Sequence, residues 1–205
     1  PTCAVADTIC RTVELGVTIT GAAVDRDDRT HIYCEVLAPD GRCPDCRFPG
    51  RLRDRVQRVL TDSPAAGHPV LLHVAVPRFV CLTGGCPRSI YRANISHIAA
   101  PRSVVTMRTE RWIVTRIVVD KMSVSAVAAN LGIAWTTVNQ IALAAARRLV
   151  YTSGHLGGVR HLGVDEHKWK HRRGDGTPGF VTVIVDLTPN VDGTGPARLL
   201  DMVPG

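Results

Sequence analysis

Residues Arg42–Gly50 read RCPDCRFPG. Cys43 and Cys46 stand two residues apart, between a turn and a run of arginines. A pair so spaced can hold half of a metal site, form a redox couple, or pack as small apolar groups. A second pair decides between these, and it comes in PRFVCLTGGCPRS, Pro77–Ser89, where Cys81 and Cys86 enclose four residues. The pattern is Cys-x-x-Cys, a gap of thirty-four residues, then Cys-x-x-x-x-Cys. Zinc takes four soft ligands in a tetrahedron, and two short-spaced pairs supply them. Pro44, Gly84 and Gly85 suit tight turns from which backbone amides can point at sulfur. Four thiolates leave no open position, so the metal is expected to be structural. A redox Cys-x-x-Cys is the weaker reading, because such pairs usually open a helix and Pro49-Gly50 follow at once. Packed thiols remain the third. Cys3, Cys10 and Cys34 have no comparable spacing and read as packing or unstructured residues.

The segment between the pairs has strand character. PVLLHVAVPRFVC alternates around Val70, Leu72, Val74 and Val76, and RLRDRVQRVL before it alternates basic and apolar residues. A hairpin between the two knuckles would bring the thiols together. Upstream, TVELGVTITGAAV and THIYCEVLAP read as two strands, with DRDDR (Asp25–Arg29) as their turn, packing on the finger as a small β unit.

Charge is unevenly spread along the 205 residues. The whole carries 25 Lys plus Arg against 18 Asp plus Glu, a formal +7, and only Lys121, Lys168 and Lys170 are lysines. Residues 1–41 are net −4, residues 42–150 net +11, and residues 151–205 neutral. One contiguous segment thus holds the positive excess, in arginine, the residue whose planar fork suits phosphate. That pattern points to a polyanion partner, most often nucleic acid. No apolar run approaches the ~18 residues of a membrane span, and PTCAVADTIC does not read as a signal peptide.

Beyond Thr106 the apolar period changes to that of a helix, in TMRTERWIVTRIVV. VSAVAANLGIAWTTVNQIALAAARRLV then fits a helix-turn-helix counted from Val124. Val127, Leu131, Ile133, Val138 and Ile141 take the apolar positions that bury the shared face. Ala128 is the small residue where the helices cross, and Gly132 permits the turn. The second helix should start near Trp135, itself read as core, and present Thr136, Thr137, Asn139 and Gln140 to a major groove. Arg147 and Arg148 at its end suit phosphates. A helical hairpin without a DNA role is the plain alternative.

The last fifty residues read as three strands, about Arg160–Lys168, Phe180–Leu187 and Ala197–Val203, joined by RRGDGTPG and TPNVDGTG. An antiparallel meander with no covering helix cannot bury both faces, so the domain it opens is expected to be cut short. Asp165 follows HLGV, an acid in an apolar strand, costly if buried unless paired or bound to metal, and otherwise an edge or exposed-face aspartate; Glu166 alternates to the other face, and Asp186 could lie opposite Asp165 or form a strand-end turn.

The order of these parts resembles that of bacterial insertion-sequence transposases of the ISL-three type, over nearly all of the chain from about residue 11. The matching elements are CPDC, PRFVCLTGGCP, MRTER, VSAVAANLGIAWTTV and LGVDEHKWKHRRG…FVTVIVDL. The resemblance implies an α+β multidomain chain: a β arm and four-cysteine zinc finger over 11–100, a helix-turn-helix over 101–152, and the first strands of a truncated ribonuclease-H-like domain over 157–205. It implies metal-dependent cleavage and joining of transposon ends. Asp165 matches the first of three carboxylates that hold Mg²⁺ or Mn²⁺, and the other two are expected beyond Gly205, leaving this chain inactive alone. Zinc would be the structural ion. Duplex DNA at terminal inverted repeats would be the partner, a homo-oligomer is possible, and the location would be the bacterial cytoplasm, at the nucleoid. The rival readings are a free-standing zinc-finger and helix-turn-helix regulator and, more weakly, an RNA-binding finger.

Overall fold

The computed structural model describes residues 4–170 and 179–204. The chain divides into two compact units, one running to Ala142 and the other from Leu143. The first unit is built on one sheet. Strands β1 (Val17–Val24) and β2 (Thr30–Val36) pair antiparallel, and the Asp25 N–H donates to the Arg29 carbonyl across their turn. Strands β3 (Arg51–Ala65) and β4 (His68–Val80) form the long hairpin expected between the cysteine pairs. Its tip is Ala66-Gly67, both at positive φ, as a two-residue turn matching strand twist requires. Short β5 (Ile90–Arg92) pairs with the far end of β4.

The arm meets the finger edge to edge rather than face to face. β2 pairs parallel with β4, Thr30 opposite Val70 through Glu35 opposite Ala75. Val70, Leu72, Val74 and Val76 of β4 are all buried, together with Val17, Ile19, Ile32, Cys34 and Leu60. Cys34 is a core residue, and Cys10 packs on the same core from the end of a short helix, α1 (Ala4–Cys10). Cys3 lies outside the described residues. No periodic signal announces α1; it is held by buried Asp7, which accepts from Thr12 Oγ1 at 2.5 Å, Thr18 Oγ1 at 2.7 Å and the Ile19 amide at 2.8 Å. The first strand starts later than TVELGV suggests. Val13–Leu15 form a 3-10 turn, closed by Gly16 at φ 71°, where an added Cβ would lie 2.8 Å from the His97 ring.

Helices α2 (Met107–Val118), α3 (Val124–Leu131) and the start of α4 (Trp135–Val150) complete this unit. Ile113, Val127, Ala128, Leu131 and Val138 form a second buried cluster, with Val124, Ile133 and Ile141 against it. The helix-turn-helix register read from sequence is thus the packed one. Thr106 and Ser123 cap α2 and α3, accepting from the amides of Thr109 at 3.2 Å and Ala126 at 3.1 Å. Trp135 departs from expectation: it is 48% exposed, not core. Trp135 has no place in the cluster that Val138 and Ile141 join on the same helix.

The second unit holds an antiparallel meander of β6 (Leu162–Lys170), β7 (Gly179–Asp186) and β8 (Arg198–Pro204). A single helical turn, α5 (Thr188–Val191), stands inside the connection read as a plain turn. The RRGDGTP part of the other connection, residues 172–178, lies outside the described residues. Asp165 is exposed, on edge strand β6, with Val183 opposite. Asp186 pairs in register with Leu162, so it is not opposite Asp165. Instead it is buried and accepts from Thr188 N at 2.9 Å and from Arg198 Nη2 at 2.8 Å, the strand-end role.

Candidate metal centre and nucleic-acid interface

The β3–β4 hairpin brings its two ends together, and with them the cysteines. The sulfurs of Cys43, Cys46, Cys81 and Cys86 all lie within 4.8 Å of one another. Cys46 and Cys81 are 3.6 Å apart, Cys43 and Cys86 3.9 Å. Four thiolates at tetrahedral zinc bonds would stand about 3.8 Å apart. The group therefore fits structural zinc in number, chemistry and spacing.

Local sequence builds each knuckle. In the first, the Arg47 amide donates to the Cys43 carbonyl at 2.9 Å and Arg47 takes φ 66°. In the second, Cys86 N donates to Thr83 O at 3.3 Å with Gly85 at φ 78°. The second cysteine of each knuckle accepts from the amide two residues on, Phe48 for Cys46 and Arg88 for Cys86. The thiols then separate in acidity. The Thr83 hydroxyl, 3.5 Å from Cys46 Sγ, and the Phe48 amide bring the Cys46 thiol down to about 6. The Arg88 amide favours the Cys86 thiolate too, but burial and the neighbouring sulfurs outweigh it, raising Cys86 to about 12. Four packed sulfurs cannot all ionise without a cation among them.

Groups that the cysteine spacing does not announce clamp the knuckles. Arg88 and Asp45 form a two-pronged pair across them, each contact 3.1 Å. Tyr91 stacks on Phe79 at 5.7 Å and donates to the Gly41 carbonyl at 2.6 Å. Gly50 is required by crowding: an added Cβ would sit 2.0 Å from the Tyr91 hydroxyl and 2.8 Å from the Val80 carbonyl. The sequence signal for Gly50 is only its place in a Pro-Gly step.

The helices are fixed to the same sheet. Asp62 of β3, 1% exposed, accepts from Arg108 Nε at 2.8 Å and Thr106 Oγ1 at 2.7 Å. Arg108 also donates to the carbonyls of Cys10 and Arg11. On α4, Thr136 and Gln140 are exposed and Thr137 and Asn139 half-buried around buried Val138. Arg147 and Arg148 are exposed in its last turn. Asp165 is not among the converging metal-ligand groups of the described residues; the cysteines are.

All five acids of segment 42–150 are engaged. Asp45 holds Arg88, Asp54 holds Arg78, Asp62 holds Arg108, Asp120 holds Arg116, and Glu110 lies 3.4 Å from the Ser103 hydroxyl. The remaining arginines carry the segment's uncompensated charge. Among the described residues no helix is long and apolar enough to cross a membrane.

Residues 95–146 match the family model for the helix-turn-helix domain of transposase family ISL3, about a quarter of the chain. No curated protein and no solved structure matches. The matched span covers the loop before α2, all of α2 and α3, and most of α4. Residues 95–146 are thus similar to the helix-turn-helix domain of transposase family ISL3, with a four-cysteine cluster compatible with a zinc finger on their N-terminal side.

Proposed function

We propose that this chain is the end-binding part of a transposase, followed by the first strands of a ribonuclease-H-like nuclease domain. The carrying observation is the ISL3 helix-turn-helix match on a helix pair anchored to a cysteine-clasped basic sheet. The division is a β arm and zinc finger over 11–100, helix-turn-helix over 101–152 and nuclease strands over 157–205. In this reading α4 enters the major groove. Asn139 and Gln140 meet base edges, Thr136 and Thr137 meet methyl groups or phosphates, and Arg147 and Arg148 hold phosphates. The site on the element would be its terminal inverted repeats.

Zinc, where bound, supplies a rigid cross-link between the two ends of the hairpin. Cys43, Cys46, Cys81 and Cys86 would hold it, Thr83 and the Phe48 and Arg88 amides would stabilise their charge, and the Asp45–Arg88 pair would orient the knuckles. In the second unit, the β6-β7-β8 order leaves one edge of β6 without a strand partner among the described residues, as suits a strand that a larger sheet continues. Asp165 on that strand would be the first carboxylate for Mg²⁺ or Mn²⁺, which supplies activation of water or a 3′-hydroxyl when bound. The test is an end-joining assay on the longest reading frame containing this chain, with Asp165→Asn. Loss of joining with retained end binding is expected; retained joining sinks the role of Asp165.

A second reading, a DNA-binding regulator that does not cut, is favoured by one observation. Val183 stands across from Asp165, while Asp186 is occupied by Arg198. Wild-type end binding without any joining by the full reading frame would select it.

A further inference from the structure

Between β3, β5 and residues 93–103 lies a groove of about 580 Å³. Val56, Val76 and Ile95 are among its apolar lining and Arg58, Arg92 and Arg102 its cations, while none of its lining residues is acidic. Arg58 is engaged, donating to the carbonyls of Ala100 and Ser103 at 2.8 Å each, and so fixes the groove's outer wall. Arg92 stands opposite Arg78 in the β4–β5 register, but Arg78 is neutralised by Asp54. Arg92 and Arg102 are exposed and have no hydrogen bond or ion pair with any described residue.

Arg102 occupies a costly place. Ser103 N donates to Ala100 O at 3.1 Å, closing a turn with Pro101 second and Arg102 third at φ 64°. Proline followed by a residue at positive φ is a type II turn, whose third position is ordinarily glycine. An arginine there gives up backbone comfort for a side chain with no hydrogen bond or ion pair among the described residues, which directs attention to an outside partner.

We propose that this groove seats the phosphodiester backbone of duplex DNA, with Arg92 and Arg102 as its phosphate ligands, separately from the contacts of α4. The proposal rests on the DNA-binding reading of the helix-turn-helix. Guanidinium forks match phosphate oxygens in pairs. Strand β3 carries both surfaces: Val56 and Arg58 line the groove, and Asp62, four residues on, anchors α2. Four residues of strand span about 13 Å. A duplex carries a charge about every 1.7 Å of its axis, so one held by the helix-turn-helix offers a run of phosphates that can extend along the sheet to the groove.

The experiment measures the affinity of the full chain for mixed-sequence duplex DNA over a salt series. Arg92→Ala/Arg102→Ala is compared with wild type and with Arg51→Ala/Arg55→Ala, which removes two unpartnered arginines from β3 outside the groove. Losing two phosphate contacts is expected to lower the slope of log K against log salt by about 1.8, with equal loss on every sequence. The β3 control should lower it by much less. Arg102→Gly keeps the turn and should lower the slope by about 0.9 without reducing Tm. An unchanged slope in the groove variant while wild type binds overturns the groove alone, as does an equal drop in the β3 control. Pyrophosphate that raises the wild-type Tm but not that of the groove variant, with unchanged DNA slopes, reassigns the groove to small anions and overturns the proposal. Absence of any DNA binding by wild type overturns this proposal and the reading beneath it together.

Discussion

A few side chains bear most of the consequence. Cys81→Ser should abolish the roughly one zinc per chain expected of a four-thiolate site, whereas Cys34→Ala should leave zinc content unchanged, because Cys34 lies in the apolar core. Metal analysis of purified protein separates them; zinc retained by Cys81→Ser would break the assignment. Asp62 is a different kind of single point. Removing it strands the Arg108 guanidinium against the sheet, and Asp62→Ala should cost about 3 kcal/mol in denaturant unfolding. That is the low end for a buried pair, since Arg108 retains 27% side-chain exposure. Asp7 sets a pH dependence. Its hydrogen bond from Thr12, then those from Thr18 and Ile19, outweigh burial and hold its acidity constant below the ordinary carboxylate value. A depressed folded value means the stabilisation is present above the unfolded value, about 3.9, and disappears as pH falls through the folded one. Asp7→Asn should therefore be less stable than wild type at neutral pH, with the gap closing below about pH 4. A gap independent of pH would remove the carboxylate from the explanation.

At the scale of elements, two joints govern. The helix-turn-helix depends on Ala128 at the crossing and Gly132 at the turn, the latter at φ 63° with Pro69 3.4 Å from an added Cβ. Gly132→Ala should cost about 1–2 kcal/mol from left-handed backbone strain, and Ala128→Leu about 1–3 kcal/mol from overpacking. Thermal unfolding reads both, and a neutral Ala128→Leu would mean that the helices do not cross there. The other joint is the root of the hairpin. Gly50→Ala drives a methyl into the Tyr91 hydroxyl and the Val80 carbonyl, so it should lower zinc affinity although Gly50 is no ligand. These elements were legible in different degrees. The alternation of Val70, Leu72, Val74 and Val76 and the helical spacing of Val127, Leu131 and Val138 report one-sided burial directly. Helix α1 was not legible, because Asp7 holds it through partners that fold to meet it. Trp135 was misread because an apolar side chain at a helix start gives no hint of whether a neighbouring element covers it.

For the molecule as a whole, charge and metal are the measurable properties. Chelation should lower the Tm of the first unit, because an ion bound only to the folded state at a thousand times its Kd contributes about 4 kcal/mol. Cys43 is buried in the same cluster as Val17, Ile32, Leu60 and Leu72, but those apolar side chains bury one another without the ion, so the residual transition should remain cooperative. DNA affinity should fall steeply with salt, since the acids of segment 42–150 are already engaged by arginine or serine and leave Arg92, Arg102, Arg147 and Arg148 to bind phosphates.

The amino-acid sequence alone determined the local facts: which stretches alternate, which wind, where turns demand glycine, and that two thiol pairs were present to be joined. Each of these follows from interactions within a few residues, which leave their mark in spacing. Only the tertiary structure decided that β2 joins β4 in parallel, that Asp62 reaches α2, that Asp186 answers Arg198 rather than Asp165, and that Arg92 and Arg102 share an acid-free groove. Those are meetings of residues distant along the chain, and strand order and register, which periodicity does not encode, bring them about.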